Sequence, residues 1–257
     1  MGQPMVFFDI DGTLYDYDKR LPDSAKRAVL KLKEKGIPVA IATGRGPFMF
    51  EELRKELGID MFVSFNGQYV EAGGEVIFHA PLSVDELASL EKEADKRDHP
   101  LVFMQRDRMI ANRKHHPVVE QCIATLKVDL PSYEPNGYHD VNTYQTLIFC
   151  TAEEEGFYHE NFPNFHYIRW DDHSVDVLNA GISKAVGIRK LVEHLNVRME
   201  DVYAFGDALN DIEMMQEARK GIAMGNADEE VKRAADWVTK AVDEDGIEYG
   251  LKYVGLI

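Results

Sequence analysis

Met5-Val6-Phe7-Phe8-Asp9-Ile10-Asp11-Gly12-Thr13 opens on four apolar residues and closes on two carboxylates, a glycine and a hydroxyl. An apolar run without polar alternation reads as a strand buried on both faces, as parallel sheets require. In an open parallel sheet the ligand crevice forms at the carboxyl ends of the strands, where strand order reverses. Acids at that end therefore carry information. Two carboxylates two residues apart repel unless a cation lies between them or one is protonated. That demand points to Mg²⁺, a hard ion that takes one or two carboxylates and completes its shell with water and phosphate oxygens. An EF-hand loop does not fit, because Arg20 stands twelfth from Asp9 where Glu is needed and Gly12 stands fourth rather than sixth.

Outward from this stretch, short apolar runs alternate with segments of helical period, the pattern of βαβ units. Ala25, Ala28, Val29 and Leu32 fall on one helical face that stops at Gly36, and Pro38 to Ala42 reads as the next strand. A helix with Phe50, Leu53 and Leu57 ends at Gly58 and leads to the run Met61 to Phe65. The alternation resumes with a helix from Ala185 to Leu195 and strands at Val202 to Phe205, Gly221 to Met224 and Trp237 to Thr239. Together these ends predict one Rossmann-like, doubly wound parallel-sheet α/β domain. Between about Pro81 and Asn179 the texture changes, with a helix near Ser83 to Lys96, extended pieces at Leu101 to Gln105 and Leu147 to Cys150, and aromatic-rich loops at Tyr133 to Tyr144 and Phe157 to Trp170. This reads as an inserted α+β domain.

Three later stretches end on reactive groups at predicted strand or helix ends. Thr43-Gly44-Arg45 offers a hydroxyl, a flexible backbone and a guanidinium suited to phosphate oxygens. Gly206-Asp207-Ala208-Leu209-Asn210-Asp211 adds acids and an amide after a buried strand, where unpaired charge is costly unless it binds something. Lys184 opens the helix after the insertion and is a plausible counter-charge. Each stretch has an ordinary reading, as a turn or a solvated helix end, when it stands alone.

The 257 residues carry 29 Lys and Arg against 45 Asp and Glu, a net charge of −16. Such a balance repels nucleic acid and anionic membrane surfaces. No apolar run approaches the roughly 18 to 20 residues that span a bilayer. The N-terminal apolar stretch is cut by Asp9, which predicts no secretory leader, and Val6 spoils the myristoylation pattern that Gly2 begins. Cys122 and Cys150 lack metal-ligand spacing and read as reduced thiols, so a cytoplasmic setting is expected. No GxxxxGK[ST] or GxGxxG string occurs, which disfavours nucleotide and dinucleotide chemistry. Nothing in the sequence fixes an oligomeric state.

Taken in order, Asp9-x-Asp11-Gly12-Thr13, Thr43-Gly44-Arg45, Lys184 and Gly206-Asp207-x-x-Asn210-Asp211 resemble the four motifs of the haloacid dehalogenase-like (HAD) hydrolase superfamily. Asn66-Gly67 and Ala223-Met224-Gly225-Asn226-Ala227 are similar to its Cof-type phosphatase branch. Ala185 and Ala208 depart from that pattern without removing a reacting group. The resemblance implies a Rossmann-like core at residues 1–80 and 180–257 and a C2-type cap at 81–179. It implies that Asp9 is the nucleophile and Asp11 the general acid and base. By the same resemblance Thr43 and Lys184 would hold phosphoryl oxygens, and Mg²⁺ would sit on Asp9, the Asp11 carbonyl and Asp207. It further implies that Asn210 and Asp211 orient the metal waters and Lys184, and that Gly12, Thr13, Gly44, Arg45 and Asn66 line the phosphate and substrate site.

The expected activity is Mg²⁺-dependent hydrolysis of a small phosphorylated metabolite through an aspartyl-phosphate. A phosphomutase or phosphotransferase would share that step, and a phosphate-sensing module would share the Asp, Thr and Lys groups but has no need of Asp11. Arg113, His115, His116, Arg169, Trp170 and His173 of the insertion are candidates for substrate selection, against the ordinary reading that they are surface groups. Met214 and Met215 read as core.

Overall fold

The computed structural model describes residues 2–257. The chain falls into two compact units, one made of the residues up to Gly44, Phe50–Phe78 and Ser183–Ile257, the other of Arg45–Met49 and His79–Ile182.

The first unit begins with β1 (Met5–Phe8), α1 (Asp23–Glu34), β2 (Val39–Ala42), α2 (Glu51–Leu57), β3 (Met61–Ser64), β4 (Tyr69–Ala72) and β5 (Glu75–His79). The second contains α3 (Val84–Asp95), β6 (Leu101–Gln105), β7 (Met109–Ala111), α4 (Pro117–Thr125), β8 (Ser132–Tyr133), β9 (Thr143–Ile148), α5 (Ala152–Asn161), β10 (Phe165–Asp171) and β11 (Ser174–Asn179). The chain then completes the first unit with α6 (Lys184–His194), β12 (Val202–Gly206), α7 (Ile212–Glu217), β13 (Lys220–Ala223), α8 (Glu229–Ala234), β14 (Trp237–Val238) and α9 (Gly246–Tyr253).

The sheet of the first unit runs in the order β14-β13-β12-β1-β2-β3-β4-β5. Its order reverses at β1, which pairs in parallel with β12 on one side and β2 on the other. Phe8 lies opposite both Phe205 and Ile41, so the segments after β1, β12 and β2 emerge at one edge. All four residues of β1 are buried, as a strand covered on both faces must be. The helices form where the apolar period predicts them. In α1, Ala25, Ala28, Val29 and Leu32 face the core, with Asp23 in the first turn and Lys31 and Lys33 in the last, each sign matching the helix dipole. Gly58 takes the left-handed cap that ends α2.

The parallel core is as expected, and beyond β3 the sheet adds an antiparallel return. Asn66 and Gly67 turn the chain back on itself, and β4 pairs antiparallel with β3, Val63 opposite Val70.

The sheet of the second unit has the order β10-β11-β9-β6-β7-β8. Leu87 and Leu90 of α3 and Tyr158 of α5 pack with Leu101, Phe103, Ile148, Val175 and Val177 from its strands. The expected loop at Phe157 to Trp170 is instead the end of α5 followed by β10. Helix α5 starts at a capping box in which Thr151 and Glu154 exchange hydrogen bonds, a local signal stronger than its weak apolar period. Strand β10 buries Phe165 and Tyr167 on alternate positions. The strand expected at Leu147 to Cys150 begins earlier, at Thr143, and ends at Ile148. Tyr144 therefore belongs to a strand and not to the preceding loop.

Candidate active site

Three neighbouring strands deliver the first groups: Asp207 follows β12, Asp9 follows β1 and Thr43 follows β2. Asp9 is 5% exposed and Thr43 1% exposed, so neither is a solvated turn residue. Lys184 enters from the first position of α6 and is 1% exposed. Its Nζ donates to Asp9 Oδ1 and to Asp211 Oδ1, both at 2.6 Å. The other oxygen of Asp211 accepts the backbone N–H groups of Asp207 and Ala208 at 3.0 Å each. Asp211 is thus saturated by a cation and two amides, which fixes the loop after β12.

Asp207 accepts a hydrogen bond from the Thr13 hydroxyl at 2.7 Å. Gly12 at φ +81° lies so close to this acid that a Cβ would fall 2.2 Å from Asp207 Oδ2, which explains why only glycine serves there. The Gly12 carbonyl in turn accepts from Asn226 Nδ2 at 2.8 Å, and Asn226 Oδ1 accepts from the amide of Val242.

Carboxylate oxygens of Asp9, Asp207 and Asp211 lie within 4.8 Å of one another. Burial raises the pKa of Asp9 to about 7, the charge of Lys184 opposing and those of Asp211 and Asp11 adding to the shift. Burial raises Asp207 to about 8, with Asp9 and Asp211 adding to the effect and the Thr13 hydrogen bond opposing. For Lys184 burial works against the ammonium, but the charges of Asp211 and Asp9 outweigh it and hold the group above its ordinary range. Acids this crowded favour either a proton or a metal cation. The donor set fits a hard cation. Asp211 is already occupied, so Asp9 and Asp207 are the carboxylates that would bind it. The buried Oδ1 of Asn210 has no hydrogen-bond partner among the described residues.

Asn210 is tied to another predicted residue, since its Nδ2 donates to Asn66 Oδ1 at 2.8 Å. The Asn66 side chain also packs on Gly44. The carboxylate of Asp11 lies outside the gathered acids, paired with Lys19 Nζ at 2.7 Å. Arg45 groups with the second unit, where its guanidinium donates to Leu126 O at 3.3 Å.

In the second unit, Arg113 pairs with Asp95 at 3.0 Å and Asp98 at 3.6 Å, and Arg169 with Glu155 at 2.7 Å. The Arg169 guanidinium also donates to the carbonyls of Cys150, Asp171 and Asp172. Arg113, His115 and His116 border a cavity of about 230 Å³ with Lys114, Glu120 and Tyr133. Met214 and Met215 are buried, as expected.

Lys19, Asn226 and the Thr13 contact to Asp207 were not legible as site partners. Lys19 looks like a surface charge in a polar loop, and no spacing rule links residue 13 to residue 207.

The chain is similar to known proteins along its whole length. Residues 6–251 match the haloacid dehalogenase-like hydrolase family. YkrA of Bacillus subtilis (strain 168), which carries a provisional phosphatase name, is 46% identical over 257 residues and covers all of both chains. The solved structure of the HAD subclass IIB sugar phosphatase BT4131 is 32% identical, with a TM-score of 0.90 over 99% of this chain and all of that one. BT1666, a HAD phosphatase from Bacteroides thetaiotaomicron, is 28% identical, with a TM-score of 0.91 over 99% of this chain and 96% of its own. The strand-end acids, the buried lysine between them and these matches along the whole chain lead to one conclusion: the protein belongs to the haloacid dehalogenase-like hydrolases and is an enzyme of their phosphatase type.

Proposed function

We propose that the chain is a Mg²⁺-dependent phosphatase acting on a small phosphorylated metabolite, a sugar phosphate or similar, through an aspartyl-phosphate on Asp9. The observation that carries this reading is the buried Lys184 clamped between Asp9 and Asp211 beside Asp207. A lysine kept charged there supplies a fixed cation for the phosphoryl oxygens, and its bond to Asp9 Oδ1 orients that carboxylate. The sugar phosphatase BT4131 supports the substrate class.

In the first step a carboxylate oxygen of Asp9 forms a bond to phosphorus while the ester P–O bond breaks, and Asp11 gives its proton to the departing alkoxide. In the second, Asp11 takes a proton from water, the water oxygen bonds to phosphorus, and the P–O bond to Asp9 breaks, releasing inorganic phosphate. Thr43 and Lys184 hold the phosphoryl oxygens through both displacements. Asp11 reaches the leaving group by releasing Lys19, a partly exposed ion pair that costs little to separate. Asp9, Asp207 and the Asp11 carbonyl are the groups that would hold Mg²⁺, which when bound neutralises charge on the transferring phosphoryl group. The inserted unit is the cap of this reading, and free Cys122 and Cys150 support a cytoplasmic setting.

The test is phosphate release from a panel of phosphorylated metabolites by purified protein, with and without Mg²⁺, in the presence and absence of a sugar acceptor. Release that needs Mg²⁺ and ignores the acceptor is expected. Transfer to the acceptor without free phosphate would replace hydrolase by phosphotransferase.

A further inference from the structure

Between β3 and β4 the chain makes a turn unlike any other in the first unit. Phe65, Asn66 and Gly67 take consecutive positive φ values of 49°, 52° and 105°. A buried phenylalanine in the left-handed region is a strained conformation that persists only where its surroundings enforce it, and such strain clusters at functional sites. Both Phe65 and Asn66 are fully buried.

The surroundings come from three different loops. The Asn66 amide donates to Thr43 O at 3.0 Å. The Asn66 carboxamide lies against Gly44, where a Cβ would sit 3.0 Å from Nδ2. Its Oδ1 accepts from Asn210 Nδ2 at 2.8 Å. Gly67 presses on the start of the helix that carries Lys184, where a Cβ would fall 2.0 Å from Ser183 O. One turn therefore touches the loop of Thr43, the helix of Lys184 and the loop of Asp207. Asn66 reaches the last of these with its side chain.

We propose that Asn66 is a positioning residue for the cation site: through its bond to Asn210 Nδ2 it holds the Asn210 amide so that the buried Oδ1 is presented to the cation's water. The inference rests on the phosphatase reading above and changes the role expected of Asn66 from substrate contact to support of Asn210. An amide that rotates freely would offer Oδ1 and Nδ2 in turn, and only the oxygen accepts from a metal-bound water. Fixing Nδ2 to a protein acceptor settles that choice. Outer-shell partners of this kind typically alter metal affinity or activity by about 10- to 100-fold when removed.

Asn66→Gly keeps the left-handed backbone open and deletes the amide. Calorimetric titration of the purified variant with Mg²⁺ alone is expected to show affinity weakened by about 10- to 100-fold, with kcat lowered at subsaturating Mg²⁺ and KM for the phosphate ester unchanged. In a cycle with Asn210→Ala, the double variant is expected to match Asn210→Ala alone, since both act through one bond. Asn66→Asp keeps an oxygen acceptor for Asn210 Nδ2 and tolerates the left-handed region, so it is expected to bind Mg²⁺ close to wild type, and it decides the matter should the glycine variant not fold. Wild-type Mg²⁺ affinity in Asn66→Gly, additive losses in the cycle, a loss confined to KM, or an equally weak Asn66→Asp would each overturn the proposal. Absence of Mg²⁺-dependent phosphate release in the wild type would instead overturn the phosphatase reading, whatever Asn66 does.

Discussion

The charges around Lys184 in the first unit and around Arg113 in the second are handled in opposite ways. In the first, Asp9, Lys184 and Asp211 form ion pairs at 7% side-chain exposure or less. In the second, Arg113 meets Asp95 and Asp98 at exposures from 36% to 86%. Taking ions out of water costs several kcal/mol each, and their attraction repays this only with good geometry and further hydrogen bonds. A buried network of this kind is a weak stabilising device, which supports the functional reading proposed for it. The exposed pairs carry no such message, because pairs of that sort contribute about 0 to 1 kcal/mol. An arginine in an acidic chain finds a local carboxylate whether or not it touches substrate.

The strongest way to break this contrast is Asp9→Asn. The change keeps the shape and removes the attacking charge, and phosphate release is expected to fall by at least about a thousandfold. Activity within a factor of ten of wild type in a metal-supplied assay would leave the buried network without a catalytic nucleophile. Next is Lys184→Met, which strands two buried carboxylates. Urea denaturation is expected to show a loss of about 3 to 5 kcal/mol, and a smaller loss would mean that protons or a cation replace the lysine.

The thiols sharpen the comparison from the other unit. Burial pushes Cys122 up to about 12, aided by its bond to Asp171, and burial pushes Cys150 up to about 11 against the pull of Arg169. Thiolate is the reactive form, so alkylation of the folded protein at pH 8 is expected to run slower than in the denatured chain by roughly a hundredfold or more. The sign for stability follows. Above the ordinary thiol pKa of 9.0 the unfolded chain releases these protons first, so stability is lost from pH 9 upward until the folded thiols titrate near 11 to 12. The smallest effect is expected for Arg113→Ala, at most about 1 kcal/mol in the same urea measurement.

The same contrast explains what was legible in the sequence. Asp9, Thr43, Lys184, Asp207 and Asp211 were readable because each follows a buried strand or opens a buried helix, and the apolar runs announce those ends. The Asn66-Gly67 pair was visible in the sequence, but nothing there announced the left-handed backbone of Phe65 before it. In the second unit, β10 was hidden because Phe165, Tyr167 and Trp170 alternate with charged and aromatic residues that can as well line a loop. Helix α5 announced itself only through the local exchange between Thr151 and Glu154. The antiparallel return of β4 followed from a tight turn whose direction no periodicity encodes.

The bond from Lys184 to Asp9 spans 175 residues of chain. During synthesis at about 5 to 20 residues per second, the partner of Asp9 is made roughly 9 to 35 s after Asp9 itself. For that interval the first strand and its acid exist without their counter-charge or β12, while the whole inserted unit is translated. Assembly of the site therefore waits on the last third of the chain, and loop closure over this distance places it among the late, slow events of folding. A chain truncated before residue 184 would carry Asp9 without the lysine it pairs with in the folded protein.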